Sequence, residues 1–227
     1  KAPLPGLPAS FAPEKEVQTL EITLADSFSG AEIVLRYSIF ADSDVIARSV
    51  KIVNPTGQTI RIEKLMSAEL DFDSASFDML YLQGKGLVNA TLSAGMQGFR
   101  SARGSTGHQY NPGVVFAAKN ASELHGDVYG MLLLYSGSYA VEVEVDEYES
   151  TRAMLGINRE NFTWNLNPGE EFNSPEALLI FSANGFGGLS AQSHAFLMNH
   201  VIRSPWKHVK RPILVNNWEA TYFDFND

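Results

Sequence analysis

The sequence has 227 residues, a formal net charge of −9 and no cysteine. The length suits one large domain or two small ones, and the 44% hydrophobic content is typical of a globular protein. The acidic charge argues against a nucleic-acid partner. The lack of cysteine excludes disulfides and thiol catalysis. No apolar run is long enough to span a membrane. The absence of cysteine and of a signal-peptide pattern predicts a cytoplasmic protein.

The first predicted segment is rich in proline. Pro3, Pro5, Pro8 and Pro13 each fix one backbone dihedral and lack an amide donor. The segment is therefore expected to be extended and to lead into the first strand.

Alternation of apolar and polar residues dominates from Glu16 onward. Leu20, Ile22 and Leu24 share one side of a strand, and the same period of two recurs between turn sequences at 54–57 and 167–170. Many short strands between turns predict an antiparallel sandwich of two large sheets. The predicted strands are 20–24, 33–39, 50–52, 60–62, 68–72, 79–82, 114–117, 129–135, 139–144, 162–166 and 177–182.

Two further patterns lie within this region. Glycines are frequent between residues 84 and 113, without the lysine of a phosphate-binding loop, and they predict turns and bulges. Glu142, Glu144 and Asp146 alternate with valines, which predicts a solvated face over a buried one and not a catalytic carboxylate pair.

The pattern changes after a break at 184–188. Leu189, Phe196 and Val201 lie near one helical face, Ser190 is a candidate N-cap, and Pro205 ends the predicted helix. The compact apolar run at 213–215 then predicts a buried strand of a parallel sheet. A new architecture that begins so close to residue 227 indicates a truncated second domain.

Several segments resemble one enzyme family. Residues 211–225 read RPILVNNWEATYFDF and resemble the RPxLxNxWEAxYFDF signature of glycoside hydrolase family 36 α-galactosidases. Residues 44–49, 103–112, 135–137, 156–164 and 168–176 resemble further motifs of that family. Residues 86–91 depart from it, because many members carry a tryptophan- and arginine-rich WxRER-type segment there and this sequence reads GLVNAT.

The resemblance implies a fold and a domain order. Residues 1–185 are expected to form a mainly β, antiparallel β-supersandwich, similar to galactose mutarotase. Residues 186–205 are expected to be a linker helix, and residues 206–227 to hold the first strand of a catalytic (β/α)8 barrel.

The resemblance also implies an activity. Family members hydrolyse terminal α-galactosyl residues of melibiose- and raffinose-type oligosaccharides with retention, which requires two carboxylates about 5–5.5 Å apart. In the family both carboxylates come from later barrel strands. This chain is therefore expected to contain no catalytic residue and to be inactive alone. Its expected partners are α-galactosides, the downstream barrel and further copies in a homo-oligomer.

Two residues of the motif are candidate substrate-binding groups. Trp218 follows the predicted strand, and an indole face can cover the C–H surface of a sugar. The resemblance makes Trp218 a wall of the galactose pocket, and the alternative is a packed core tryptophan. Glu219 is expected either to accept hydrogen bonds from sugar hydroxyls, or to face solvent or form a salt bridge within the barrel.

No cofactor or metal is predicted. The five histidines show no metal-binding spacing, and His194 and His200 are expected to be surface or packing groups of the helix.

Other functions remain open. A free-standing carbohydrate-binding module would offer its own aromatic platform, and an aldose-epimerase-like enzyme would need His and Glu in the sandwich groove. Within the resemblance, α-N-acetylgalactosaminidase and raffinose-type galactosyl transfer are the alternatives.

Overall fold

A computed structural model describes residues 1, 4–84 and 86–224, with only the backbone of Trp206. Pro3 of the proline-rich segment and Phe225 of the C-terminal motif lie outside the described residues. The chain is mainly β, and its paired strands are antiparallel, which confirms the predicted fold class.

The elements follow one another along the chain, with short 3-10 helices at Glu14–Glu16 and Pro205–His208. They are β1 (Val17–Ala25), β2 (Glu32–Phe40), β3 (Ser43–Val53), β4 (Ile60–Ile62), β5 (Met66–Phe72), β6 (Phe77–Gln83), β7 (Gly86–Thr91), β8 (Gly95–Arg100), β9 (Gly113–Ala118), β10 (Val128–Leu134), β11 (Tyr139–Val145), β12 (Thr151–Ile157), β13 (Trp164–Leu166), β14 (Glu171–Asn173), β15 (Glu176–Ser182), α1 (Gly185–His200) and α2 (Trp218–Thr221).

These strands form one large sheet and two smaller ones. The nine-stranded sheet has the order β1-β2-β3-β15-β10-β9-β6-β7, with β14 paired to β3. A four-stranded sheet has the order β5-β12-β11-β8, and β13 pairs with β4. The sandwich is thus asymmetric, because its second main layer is less than half as wide as the first.

The main core lies between the two larger sheets. Phe116 and Met131 of the large sheet and Leu155 of the four-stranded sheet are fully buried there. On β11 the valines point inward while Glu142 and Glu144 point outward, which confirms the predicted solvated face. Tyr139 is also fully buried, its hydroxyl has no partner among the described residues, and burial raises the pKa of Tyr139.

A second core lies on the other face of the large sheet, under α1. Val45, Leu178 and Ile180 contribute from the strands, and Leu189 and Phe196 contribute from the helix. The central strands are therefore buried on both faces, and the helix is fixed by apolar packing.

Strand β1 alternates as predicted, but it is not buried. Leu20, Ile22 and Leu24 are 59%, 39% and 49% exposed, although they share the face that forms the main core elsewhere. The four-stranded sheet covers the other end of that face, and no other described layer reaches β1.

The glycine-rich region is the main error in the strand assignment. Residues 86–91 and 95–100 form β7 and β8 where turns were predicted, because β6 and β11 supply hydrogen-bonding partners. The prediction also missed β12 and β14. Gly98 has a φ of 150°, and a Cβ there would lie 2.2 Å from the carbonyl oxygen of Val141. Glycine is required at this position because two backbones meet.

The predicted helix forms, with different ends. It spans Gly185–His200, so Ser190 lies inside it and is not the cap, and residues 201–205 lie beyond its end. The N-terminus is placed by Gly185, which has a φ of 66°, and a Cβ there would lie 2.1 Å from the carbonyl oxygen of Ser122.

The expected strand at 213–215 is not formed in this chain. Ile213, Leu214 and Val215 are 96%, 90% and 81% exposed and have no regular structure. A parallel strand needs neighbours for its hydrogen bonds and for burial of both faces, and none of the described strands pairs with this segment.

We expect Gly98→Ala to destabilise the protein by at least about 2 kcal/mol. The new methyl group would clash with the backbone of Val141, and the φ of residue 98 is unfavourable for alanine. Gly86→Ala is the matched control, because a Cβ there meets nothing within 4 Å. Its effect should be within about 0.5 kcal/mol. Urea unfolding of both variants is the measurement, and equal effects would contradict the close approach.

Candidate functional site

The C-terminal motif forms a compact local structure. The side-chain oxygen of Asn216 accepts the Trp218 N–H at 3.0 Å, and the Trp218 carbonyl accepts the Tyr222 N–H at 3.0 Å. One helical turn, α2, therefore follows the exposed segment 209–217.

Trp218 packs within this segment. Its ring centroid lies 5.3 Å from that of Tyr222 and 5.0 Å from that of Phe223, both in edge-to-face geometry. The side chain is 46% exposed, so in this chain Trp218 is not a core residue. An exposed indole beside two aromatic rings is chemically suited to stack on the apolar face of a sugar.

Glu219 lies on the same helical turn and is exposed. Among the described residues it makes no hydrogen bond or ion pair. The structure thus brings Trp218 together with Tyr222 and Phe223 and leaves the Glu219 carboxylate in solvent. Neither residue lines the two main clefts of the sandwich.

The first cleft, of about 690 Å³, lies on the outer face of the four-stranded sheet. Gly98 and Glu142, which are paired on neighbouring strands, are among its lining residues. The Glu142 carboxylate pairs with Lys64 at 2.6 Å, and Arg100 pairs with Glu160 at 2.8 Å. The acidic groups of this cleft are therefore engaged in ion pairs and do not form an acid–base pair.

The second cleft, of about 550 Å³, lies between the large sheet and α1. Leu80, Val115, Leu132, Phe186 and Leu197 are among its lining residues. The wall is almost entirely apolar and lacks the convergent hydrogen-bonding groups that a sugar site needs.

Among the described residues, two carboxylates have a perturbed pKa. The Arg152 guanidinium donates two hydrogen bonds to Asp71, at 2.9 and 3.2 Å, and lowers the pKa of that carboxyl. Hydrogen bonds from the Ser29 hydroxyl and amide lower the pKa of Asp26 in the β1–β2 turn. Both carboxylates are exposed, and protein hydrogen bonds account for both shifts, so neither shift by itself points to a catalytic site.

Glu176 and His200 are buried ionisable groups, 1% and 4% exposed. The sequence indicated neither the burial of Glu176 nor the partners of His200, for which it predicted only a surface or packing role. Their side-chain partners lie at least 158 residues away in the sequence, at Ser10, Lys1 and Asp42. No local pattern could have indicated such pairings.

Residues 1, 4–84 and 86–224 contain neither a metal-binding cluster nor a membrane-spanning helix. No group of three or more His, Asp or Glu side chains in these ranges is arranged to hold a metal ion. No helix within them is long and apolar enough to cross a membrane.

Comparison with known proteins gives a consistent result. Residues 1–167 match the model of the glycosyl hydrolase family 36 N-terminal domain, and residues 171–227 match the melibiase model. The chain is 47% identical to the bifunctional alpha-galactosidase/sucrose kinase AgaSK of Mediterraneibacter gnavus, over 98% of this chain and 24% of that protein. It is 39% identical to alpha-galactosidase AgaA of Geobacillus stearothermophilus, over 100% of this chain and 32% of that protein.

Solved structures agree with these matches. The crystal structure of AgaA superimposes with a TM-score of 0.94 over the whole of this chain, which is 32% of that protein. An AgaA variant solved in complex with stachyose gives a TM-score of 0.93 and the same coverage. The chain thus spans about a quarter to a third of the length of the relatives it matches.

We expect Trp218→Ala to change the stability of this chain by less than about 0.5 kcal/mol, because Trp218 is 46% exposed and its ring contacts among the described residues are with Tyr222 and Phe223 of its own segment. Phe116→Ala, at a fully buried position, should cost about 3–5 kcal/mol and serves as the comparison. Urea unfolding measures both. A loss above about 1 kcal/mol for Trp218→Ala would mean that the tryptophan packs against the sandwich.

Proposed function

The chain belongs to glycoside hydrolase family 36, and from this membership we propose that it is the non-catalytic N-terminal region of a retaining α-galactosidase. The observation that carries the proposal is the match over the whole chain to the corresponding part of alpha-galactosidases. The absence of a paired acid and nucleophile from the clefts of the described sandwich supports a non-catalytic role.

The proposed reaction is hydrolysis of terminal α-galactosyl residues with retention of configuration. That chemistry requires a nucleophilic carboxylate and an acid–base carboxylate on opposite sides of the glycosidic bond. Both are expected from barrel strands beyond this chain. The proposed substrates are melibiose- and raffinose-type oligosaccharides, since a variant of the related AgaA has been solved in complex with stachyose.

Trp218 and Glu219 are the proposed substrate-binding residues. The Trp218 indole would cover the C–H face of galactose, and its N–H would donate to a hydroxyl. The Glu219 carboxylate would accept hydrogen bonds from sugar hydroxyls. The exposure of both side chains in this chain is compatible with these roles.

The proposed domain order places the sandwich at residues 1–185, the linker helix at 186–205 and the start of the barrel at 206–227. The exposed apolar residues Ile213, Leu214 and Val215 would become the first barrel strand once neighbouring strands cover them.

We further propose that the sandwich supports the barrel and a homo-oligomer. The absence of cysteine favours a cytoplasmic location.

We predict that this chain alone does not hydrolyse a chromogenic α-galactoside, because it lacks the two required carboxylates. The assay uses purified protein, with a host extract lacking the chain processed in parallel as control. Turnover above that control, retained through a second purification, would overturn the non-catalytic assignment.

In a protein that joins this chain to the remaining length of its relatives, we predict that Trp218→Ala lowers kcat/KM on melibiose at least tenfold. Lost stacking of about 0.5–1.5 kcal/mol and lost orientation of the sugar both contribute. Trp164→Ala is the matched control, since Trp164 is equally exposed but packs on Phe172 of the sandwich. Unchanged kinetics for Trp218→Ala would show that this residue does not line the substrate pocket.

A further inference from the structure

The proline-rich N-terminal segment is bound to the rest of the molecule at defined points. Residues 4–13, here called the strap, lie beside the end of α1, and Ala9, Ser10 and Ala12 are buried. The Ser10 N–H donates to the buried carboxylate of Glu176 at 2.7 Å, and the Phe11 N–H donates to the His200 carbonyl at 2.8 Å. The strap therefore contacts both the central strand β15 and the last residue of α1.

The side chain of His200 joins three elements. Its Nδ1 lies 3.1 Å from the Phe11 carbonyl oxygen in the strap, and its Nε2 lies 2.8 Å from Oδ1 of Asp42 in the β2–β3 turn. His200 is 4% exposed, and its ring packs against those of Phe40 and Phe196, at centroid distances of 4.7 and 5.0 Å.

Both ring nitrogens thus face oxygen acceptors. A carbonyl oxygen has no proton to donate, and an ionised carboxylate only accepts. A neutral imidazole has one N–H, so one of its nitrogens would direct a lone pair at an oxygen inside a buried site. Only the doubly protonated imidazolium donates to both partners. Its position at the C-terminus of α1 also favours a positive charge.

The basic groups on the surrounding elements bond to other partners, so they do not take the place of the second ring N–H of His200. Arg203 donates to the Ala9 carbonyl and lies 4.6 Å from the Phe11 ring, and Lys1 pairs with Glu176. Lys207 contacts the Asn199 carbonyl at the end of the helix. Asp42 is the one carboxylate among the described residues that bonds to the His200 ring, and it is about half exposed.

We propose that His200, Asp42 and Phe11 form a proton-dependent latch that holds the strap and the β2–β3 turn against the end of α1. In the closed latch the imidazolium donates to both oxygens. When the ring loses a proton, one of the two side-chain bonds is lost, while the backbone bond between Phe11 and His200 remains. The strap is then held less tightly at the point where the chain leaves the sandwich toward residues 211–224.

The direction of the pH effect follows from this geometry. Because the closed latch needs an N–H on both ring nitrogens, its contribution to holding the strap should be complete at low pH and lost as pH rises. Histidine side chains change charge between about pH 5 and 8, which sets the range to examine.

The test is hydrogen exchange of the strap amides in the intact 227-residue chain between about pH 5.5 and 8.5, corrected for intrinsic exchange. Protection of residues 9–12 should fall about tenfold across this range in the native chain, since a hydrogen bond to a charged group is lost. The matched control is His194→Gln, on the exposed face of the same helix, which should reproduce the native pH dependence.

In His200→Gln the protection should be low and independent of pH. Asp42→Asn, in an exposed turn, keeps an acceptor but removes its charge, so it should reduce the native pH dependence even if His200→Gln fails to fold. Parallel pH profiles for the native chain, His200→Gln and Asp42→Asn would overturn the proposal. So would native strap protection that is constant or increases with pH.

Discussion

The structure depends on a pair of central strands that is buried on both faces. Strands β10 and β15 pair through seven residues, with Met131 and Ala177 packed under the four-stranded sheet. Val128 and Leu178 face the opposite side, toward α1. Because alternate side chains point to opposite faces, one strand pair serves two cores and fixes the relative positions of the small sheet and the helix.

Buried polar groups determine where the connecting segments attach to this framework. Asn54 is fully buried, and its amide donates to the carbonyls of Gln58 and Leu166, which joins the β3–β4 turn to β13. Glu176 and His200 similarly hold the strap. Each of these groups would be costly to leave unpaired, so it selects one arrangement of segments that apolar packing alone would not specify.

The functional interpretation follows from the same organisation. The helix α1 packs rigidly on the large sheet and ends at His200, whereas residues 209–217 and the Trp218 turn make few contacts with the sandwich. In this chain the segment that carries Trp218 and Glu219 thus extends from the packed sandwich. This division supports the proposed non-catalytic role of the sandwich.

The sequence by itself determined the fold class, most strands and the family. A period of two in apolar residues is a local consequence of strand geometry, and the motif at 211–225 is specific in its residues alone. Only the tertiary structure decided which apolar faces are covered. Ile22 on β1 and Val143 on β11 belong to the same kind of alternation, yet the first is exposed and the second is fully buried. Likewise, β7 and β8 form in glycine-rich sequence because partner strands are present, and 213–215 stays irregular because none of the described strands pairs with it. Burial and strand pairing depend on residues far away in the sequence, and so does the pairing of His200 with Asp42.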